Sequence, residues 1–150
     1  MRVFIGTDHA GLEFKEHLKS ALADAGYEPV DCGAFEYDAD DDYPPFCFEV
    51  GERIVTERGS LGVVIGGSGN GEQMAANKVK GARAALAYDL DTARLGREHN
   101  DANVISIGAR MHTEEQALEM VRLFLATPFS GNERHARRIR LMAEYEERRG

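Results

Sequence analysis

The stretch LGVVIGGSGNGEQMAANK, residues 61–78, decides the fold. Its first six residues are continuously apolar and β-rich, as a strand buried on both faces must be. Gly66, Gly67, Gly69 and Gly71 then interrupt it, and past Gly71 the residues favour a helix. A strand that breaks through glycines into a helix is one βα unit of a parallel sheet. Such sheets bind ligands beyond the carboxyl ends of their strands, which places this loop at a site.

Working outward, the same alternation repeats. RVFIG (2–6) predicts a buried strand, and Phe14, Leu18, Leu22 and Ala25 predict the apolar stripe of a helix ended by Gly26. EPVDC (28–32) is the next strand; the loop GAFEYDADDDYPP leads to a helix over roughly 45–58. ARAALAY (82–88) and ANVISIG (102–108) supply strands four and five, with a helix near 90–99 between them. Thr113 and Gln116 form a capping-box pattern ahead of the stripe Ala117, Met120, Val121, Phe124 and Leu125. The expected fold is α/β: three layers, a five-stranded parallel sheet with helices on both faces, one domain over 1–150. A last helix, about 130–149, carries RHARRIR and EYEER. It falls outside the βα count and is expected to pack on a partner subunit.

Composition excludes several classes. Eighteen basic against 26 acidic residues give a net charge of −8, a poor match to nucleic acid, whose binding rests on phosphate neutralisation. Any anionic ligand should be small and met by a local basic cluster. No run approaches the roughly 20 apolar residues that span a bilayer, and no membrane role is expected. MRVFIGTDHAG does not have the form of a secretory leader. Cys32 and Cys47, without metal-ligand spacing, suit a reducing compartment, and the cytoplasm is the expected address.

The glycine loop fails three known motifs. Gly71 is followed by Glu72, not the lysine of a Walker A loop; Ser68 and Glu72 break both registers of a dinucleotide fingerprint; Asn70 stands where a nucleophile elbow needs glycine. What remains is a set of backbone N–H groups opened by glycine at a helix start, fit for a phosphate or a transient oxyanion. A tight βα turn packed through glycine is the plainer alternative. Glu72 has two readings as well: an acid stabilised in a first helical turn, or a base. A carboxylate would repel a phosphate beneath it but could take a proton from an uncharged sugar carbon. Base plus oxyanion nest is what enolisation requires.

Among the histidines, His17 belongs to solvated surface. His9, after Asp8 at the end of strand one, lies at the expected ligand edge, whereas His99 either caps a helix end or acts in a site; His112 and His135 stay open. No HxH, HExxH or paired Cys/His pattern occurs, so no metal site is expected. Arg134 and Arg138 share a helix face at i, i+4, suited to grip one phosphate, with Arg137 beside them. The competing reading is a solvated face neutralised by Glu144, Glu146 and Glu147. Asp38, Asp40, Asp41 and Asp42 read as a solvated loop.

DHAG (8–11), DYP (42–44), GGSGNGEQMAANK (66–78), REHND (97–101) and the terminal arginine helix together resemble the ribose-5-phosphate isomerase type B family, nearly end to end. That family also contains isomerases of galactose 6-phosphate and allose 6-phosphate. The resemblance implies a cofactor-free aldose–ketose isomerase acting through a cis-enediol, built as a homodimer of Rossmann-like subunits with sites at the interface. It implies ring opening by His99 with Asp8 assisting, and enediolate stabilisation by Ser68 and the amides of Gly67, Gly69, Asn70 and Gly71. His9, Arg110, Arg134 and Arg138 would meet the phosphate, the last two from the other subunit, and Asn100 the sugar hydroxyls. Many members carry a cysteine base where this chain has Gly66; a second branch carries a glutamate just past the glycines, and Glu72 matches it. D-Ribose 5-phosphate and D-ribulose 5-phosphate are the expected pair. A four- or six-carbon sugar phosphate is the rival, with Phe35, Tyr43 and Phe46 setting pocket length, and a non-catalytic sugar-phosphate sensor is the other. Whether dimers pair into tetramers stays open.

Overall fold

The computed structural model describes residues 1–149. Five strands, β1 (Arg2–Thr7), β2 (Glu28–Asp31), β3 (Leu61–Gly66), β4 (Ala84–Leu86) and β5 (Val104–Gly108), form one sheet in the order β2-β1-β3-β5-β4. All pairs are parallel. The helices are α1 (Leu12–Asp24), α2 (Pro44–Thr56), α3 (Asn70–Ala76), α4 (Leu90–Glu98), α5 (Glu114–Ala126) and α6 (Glu133–Arg149).

Strand alternation sorts the core into two layers. Val3, Ile5, Val63, Ile65, Ile105 and Ile107 face one way, against Leu18 and Leu22 of α1 and Met120, Val121 and Phe124 of α5. Phe4, Val64 and Val104 face the other, against Cys47, Val50 and Ile54 of α2 and Ala75 and Ala76 of α3. Leu18 is fully buried, and its truncation to alanine should cost about 2–5 kcal/mol. The capping box of Thr113 and Gln116 is formed at α5, and a second one, Asp89 with Thr92, starts α4.

Three expectations shift. β4 is three residues long rather than seven, because this edge strand pairs only with β5, from Ala84 opposite Val104 to Leu86 opposite Ser106. Ala25 is exposed: it caps α1 instead of extending its stripe. α3 begins at Asn70, with Gly69 at its N-cap in the left-handed region (φ 89°), a conformation that glycine adopts at no steric cost.

The strand order creates the site. From β1 the chain passes to β2 on one side, while β3 lies on the other. The loops leaving β1 and β3 therefore diverge and open a crevice at their carboxyl ends. Those loops begin at Asp8 and at Gly67.

Candidate functional site

Glu72 occupies that crevice. It lies in the first turn of α3, 4% exposed, at the mouth of β3. Burial holds its carboxyl above the usual carboxylate range, and the charge of Asp8 adds to the effect; the backbone N–H groups of Glu72 itself and of Gly69 pull the other way. Its space is taken from Gly66. A Cβ on Gly66 would lie 1.9 Å from Glu72 Oε2 and 2.0 Å from its carboxyl carbon.

The glycine loop is braced on every side. Ser106 of β5 donates its hydroxyl to the Gly69 carbonyl at 2.7 Å. Ala109 and Arg110 donate their backbone N–H groups to the carbonyls of Gly66 and Gly67. The Tyr43 hydroxyl lies where a side chain on Gly71 would be, 2.1 Å from the Cβ position. Arg110 covers Gly67, its Nη1 3.1 Å from the Cβ position there. Ser68 and Asn70 are exposed at the loop tip, where Ser68 Oγ accepts from the Asn70 N–H at 3.3 Å. Loop carbonyls are thus bound inward, leaving a rigid rim of backbone beside a buried carboxyl.

From β1, Asp8 accepts the N–H of Ala10 at 3.0 Å and fixes the tight turn His9–Gly11. His9 Nδ1 meets Asp41 Oδ1 at 2.7 Å, and its backbone N–H reaches the same oxygen at 3.1 Å. Asp41 corrects the reading of residues 38–42 as wholly solvated. Its side chain is only 11% exposed, because the loop folds back over the first strand's end. Donor atoms of Asp8, His9 and Asp41 all lie within 4.8 Å of one another. Within that trio only His9 and Asp41 are hydrogen-bonded, with Nδ1 and Oδ1 directed at each other rather than at a shared ion, while Asp8 Oδ2 stands 4.0 Å from Nδ1.

The loop's root is held by Lys15 of α1. It is fully buried and reaches Asp31 Oδ1 at 2.6 Å and the Ala34 carbonyl. The lysine tail thus crosses the core to anchor residues 31–34. His17 is exposed as expected, beside Glu114. Cys32 and Cys47 are buried, and burial pushes both thiols up, Cys32 to about 11. Neither supplies a thiolate near neutrality, and the charges of Glu72 and Asp8 push Cys47 further up.

A second group of expected residues lies at the opposite edge of the sheet. His99 and Asn100 follow α4 and precede β5, so they sit at the amino ends of the strands. Arg83, just before β4, donates to the carbonyls of Asn100 and Asp101, which confirms that location. Arg97 ties the same turn: it meets Asp101 Oδ1 at 2.9 Å and the Thr127 carbonyl at 3.2 Å. Asp101 adopts φ 44° there. The sequence motif REHND is therefore a braced turn that presents His99 and Asn100.

His135 of α6 stacks on His99 with ring centroids 4.2 Å apart, so the arginine helix starts beside this turn. Burial lowers His135, and His99, Arg138 and Arg134 add to it. The competing reading, neutralisation of the arginines by the terminal glutamates, is not what forms. Glu146 accepts the Gly81 N–H at 3.1 Å and Glu147 pairs with Lys80 at 2.8 Å. Among the described residues, Arg134, Arg137 and Arg138 make no salt bridge. None of α6 is buried, and Leu141, Met142 and Tyr145 are exposed. His112 takes no part in either group; it lines a groove of about 580 Å³ with Tyr88, Asp89, Leu90 and Met120.

One chain thus brings together Glu72, the glycine loop, Tyr43, Asp8, His9 and Arg110. It does not bring His99, Asn100, Arg134 or Arg138 to them; the five-residue β5 alone separates the two edges by roughly 15 Å. Sequence reasoning missed Asp41, Lys15, Arg97 and Ser106. Only Arg97 carried a signal, as part of a quoted motif.

A parallel α/β sheet with a buried carboxyl, a glycine-opened amide rim and a histidine at its switch point defines an acid–base site for a small polar substrate. Residues 3–142 match the family described as Ribose/Galactose Isomerase, and the chain belongs to that family. It is 58% identical over 146 residues to ribose-5-phosphate isomerase B of Mycolicibacterium paratuberculosis, covering 97% of this chain and 92% of that one. Its fold superposes on ribose-5-phosphate isomerase B from Mycoplasma genitalium with bound ribulose-5-phosphate, with a TM-score of 0.93 at 40% identity, covering 97% and 96% of the chains. The type B ribose 5-phosphate isomerase of Trypanosoma cruzi gives a TM-score of 0.94 at 44% identity, covering 99% and 98%.

Proposed function

We infer that this protein is an aldose–ketose isomerase interconverting D-ribose 5-phosphate and D-ribulose 5-phosphate, a reaction of pentose phosphate metabolism in the cytoplasm. The observation that carries the reading is the buried Glu72 carboxyl, set against the glycine rim with burial holding its proton affinity up. A base with raised affinity abstracts a weakly acidic carbon-bound proton more readily than an ordinary carboxylate.

In the open-chain aldose, Glu72 takes the proton from C2 while the C1 carbonyl oxygen gathers negative charge. Amides of Gly67, Gly69, Asn70 and Gly71 and the Ser68 hydroxyl stabilise that oxygen in the cis-enediolate. Proton transfer from the O2 hydroxyl to O1 leaves the ketone at C2, and Glu72 returns its proton to C1. Atoms and charge balance within the sugar and the one carboxyl. Ring opening falls to His99, assisted by Asp8, before enolisation begins. His9, Arg110, Arg134 and Arg138 hold the phosphate, and Asn100 the sugar hydroxyls. Tyr43, pressed on Gly71, closes the side of the pocket.

Since the two groups stand at opposite edges of one chain, the assignment requires a second copy. His99, Asn100, Arg134 and Arg138 of one subunit complete the glycine-loop site of the other, and the exposed α6 is the element that joins them. Such an interface is isologous, giving two equal sites per homodimer.

Turnover of matched four-, five- and six-carbon sugar phosphates, with deuterium incorporation from solvent at C1 and C2, tests the reading. Preference for the five-carbon pair with exchange supports it. Binding without exchange marks a sensor instead.

A further inference from the structure

Residues 35–40 are exposed throughout and Asp42 is exposed, yet Asp41 between them is turned inward. Its Oδ1 takes both N–H groups that His9 offers on that side, the backbone amide and Nδ1. Its Oδ2 is buried without a hydrogen-bond partner among the described residues. A carboxylate desolvated in this way holds little else to interact with than the imidazole. The loop that delivers it is fixed at its start by Lys15 on Asp31 and Ala34, and at its end by Tyr43 on Gly71.

We propose that Asp41 is a positioning residue for His9: it fixes Nδ1–H inward, so that Nε2–H is presented to the phosphate of the substrate. This rests on the reading of His9 as a phosphate-binding group. A histidine whose Nδ1 proton is held by a carboxylate is set in one tautomer when neutral and is favoured in its charged form. The charged groups facing His9 are Asp41, which holds its proton affinity up, Asp8, which acts in the same sense, and Arg110, which opposes them; burial also opposes. Tyr37 lies edge-on to the ring with centroids 6.0 Å apart and limits its swing. Asp41 thus supplies charge as well as direction. The imidazolium persists to higher pH than an unpartnered one, matched to a phosphate dianion.

The test uses ¹⁵N-histidine-labelled protein and inorganic phosphate as the probe, in wild type, Asp41→Asn and Asp41→Glu. In wild type, His9 should carry its neutral-state proton on Nδ1. In Asp41→Asn, its titration should move down towards the ordinary histidine value, and phosphate binding at pH 7.5 should weaken about tenfold, the worth of one charge-assisted hydrogen bond. Near pH 5.5, where His9 is charged in either protein, the difference should shrink, and Asp41→Glu should recover part of the loss. With ribose 5-phosphate, KM should rise in the same pattern while kcat changes little. A wild-type His9 protonated on Nε2 alone, or a titration and phosphate affinity unmoved by Asp41→Asn, overturns the proposal. A wild type that binds phosphate through His9 but does not isomerise ribose 5-phosphate overturns the functional reading and leaves this one standing.

Discussion

The carboxylate of Glu72 fills the volume that any side chain at position 66 would occupy, with its Oε2 1.9 Å from the Cβ position of Gly66. The two positions are therefore coupled: a buried glutamate at 72 demands glycine at 66. Contacts near 2 Å cannot be accommodated unless the Glu72 carboxyl, only 4% exposed, leaves its place.

Gly66→Ala should thus displace the base while leaving the sheet intact. We expect kcat/KM to fall by about 10²-fold or more, as misplacing a catalytic group by about 1 Å does. Gly26→Ala is the control: it lies past the end of α1, away from the glycine loop, and nothing stands within 4 Å of its Cβ position. Steady-state kinetics with circular dichroism on both variants checks this; equal losses contradict the coupling.

The raised affinity of Glu72 has a consequence for stability. Its folded value lies above its unfolded one, so the folded state binds the extra proton, and stability falls as pH rises through the window between them. Above that window the ionised, buried carboxylate is a net cost. Glu72→Gln should therefore raise the melting temperature relative to wild type at pH 7–8 and lose that advantage near pH 4. A variant less stable than wild type at neutral pH contradicts the assignment. The same shift predicts an acid limb of kcat/KM lying above the ordinary carboxylate range.

Glu72 and His99 should complement each other across subunits. Glu72→Gln and His99→Asn homodimers should each be nearly inactive. Statistical mixing of the two chains gives half heterodimers, each with one intact site, so about a quarter of wild-type activity should return. Separately tagged chains refolded together measure it. No recovery on verified heterodimer formation means that the site is not shared.

Arg134 and Arg138 lack salt-bridge partners among the described residues and stand on one face of α6. Replacing either by methionine should raise KM by about tenfold with a smaller effect on kcat, since the phosphate is bound alike in ground and transition states. A KM left unchanged in both variants removes them from the phosphate site.

Much of this was legible in sequence where periodicity or glycine spacing carried it. The five strands, the α5 capping box and the position of Glu72 in a first helical turn all follow from local pattern. Asp41 was not legible, because an aspartate in an acidic loop looks solvated until the loop's return over β1 is known. Lys15 hid for a related reason: its charge suggests surface, while its length lets it cross the core to Asp31. The separation of His99 from Glu72 follows from element order, since a turn between a helix and the next parallel strand lies at the amino ends of the strands, opposite the loops that leave them.

The central claim is that Glu72 moves the proton. The most direct measurement is solvent deuterium exchange at C1 and C2 of the sugar phosphate, with turnover and ligand affinity, in Glu72→Gln. Loss of a general base predicts a fall in exchange and kcat of about 10²–10⁴-fold, with ribulose 5-phosphate still bound at close to wild-type affinity. Exchange and turnover within about tenfold of wild type would show that another group carries the proton.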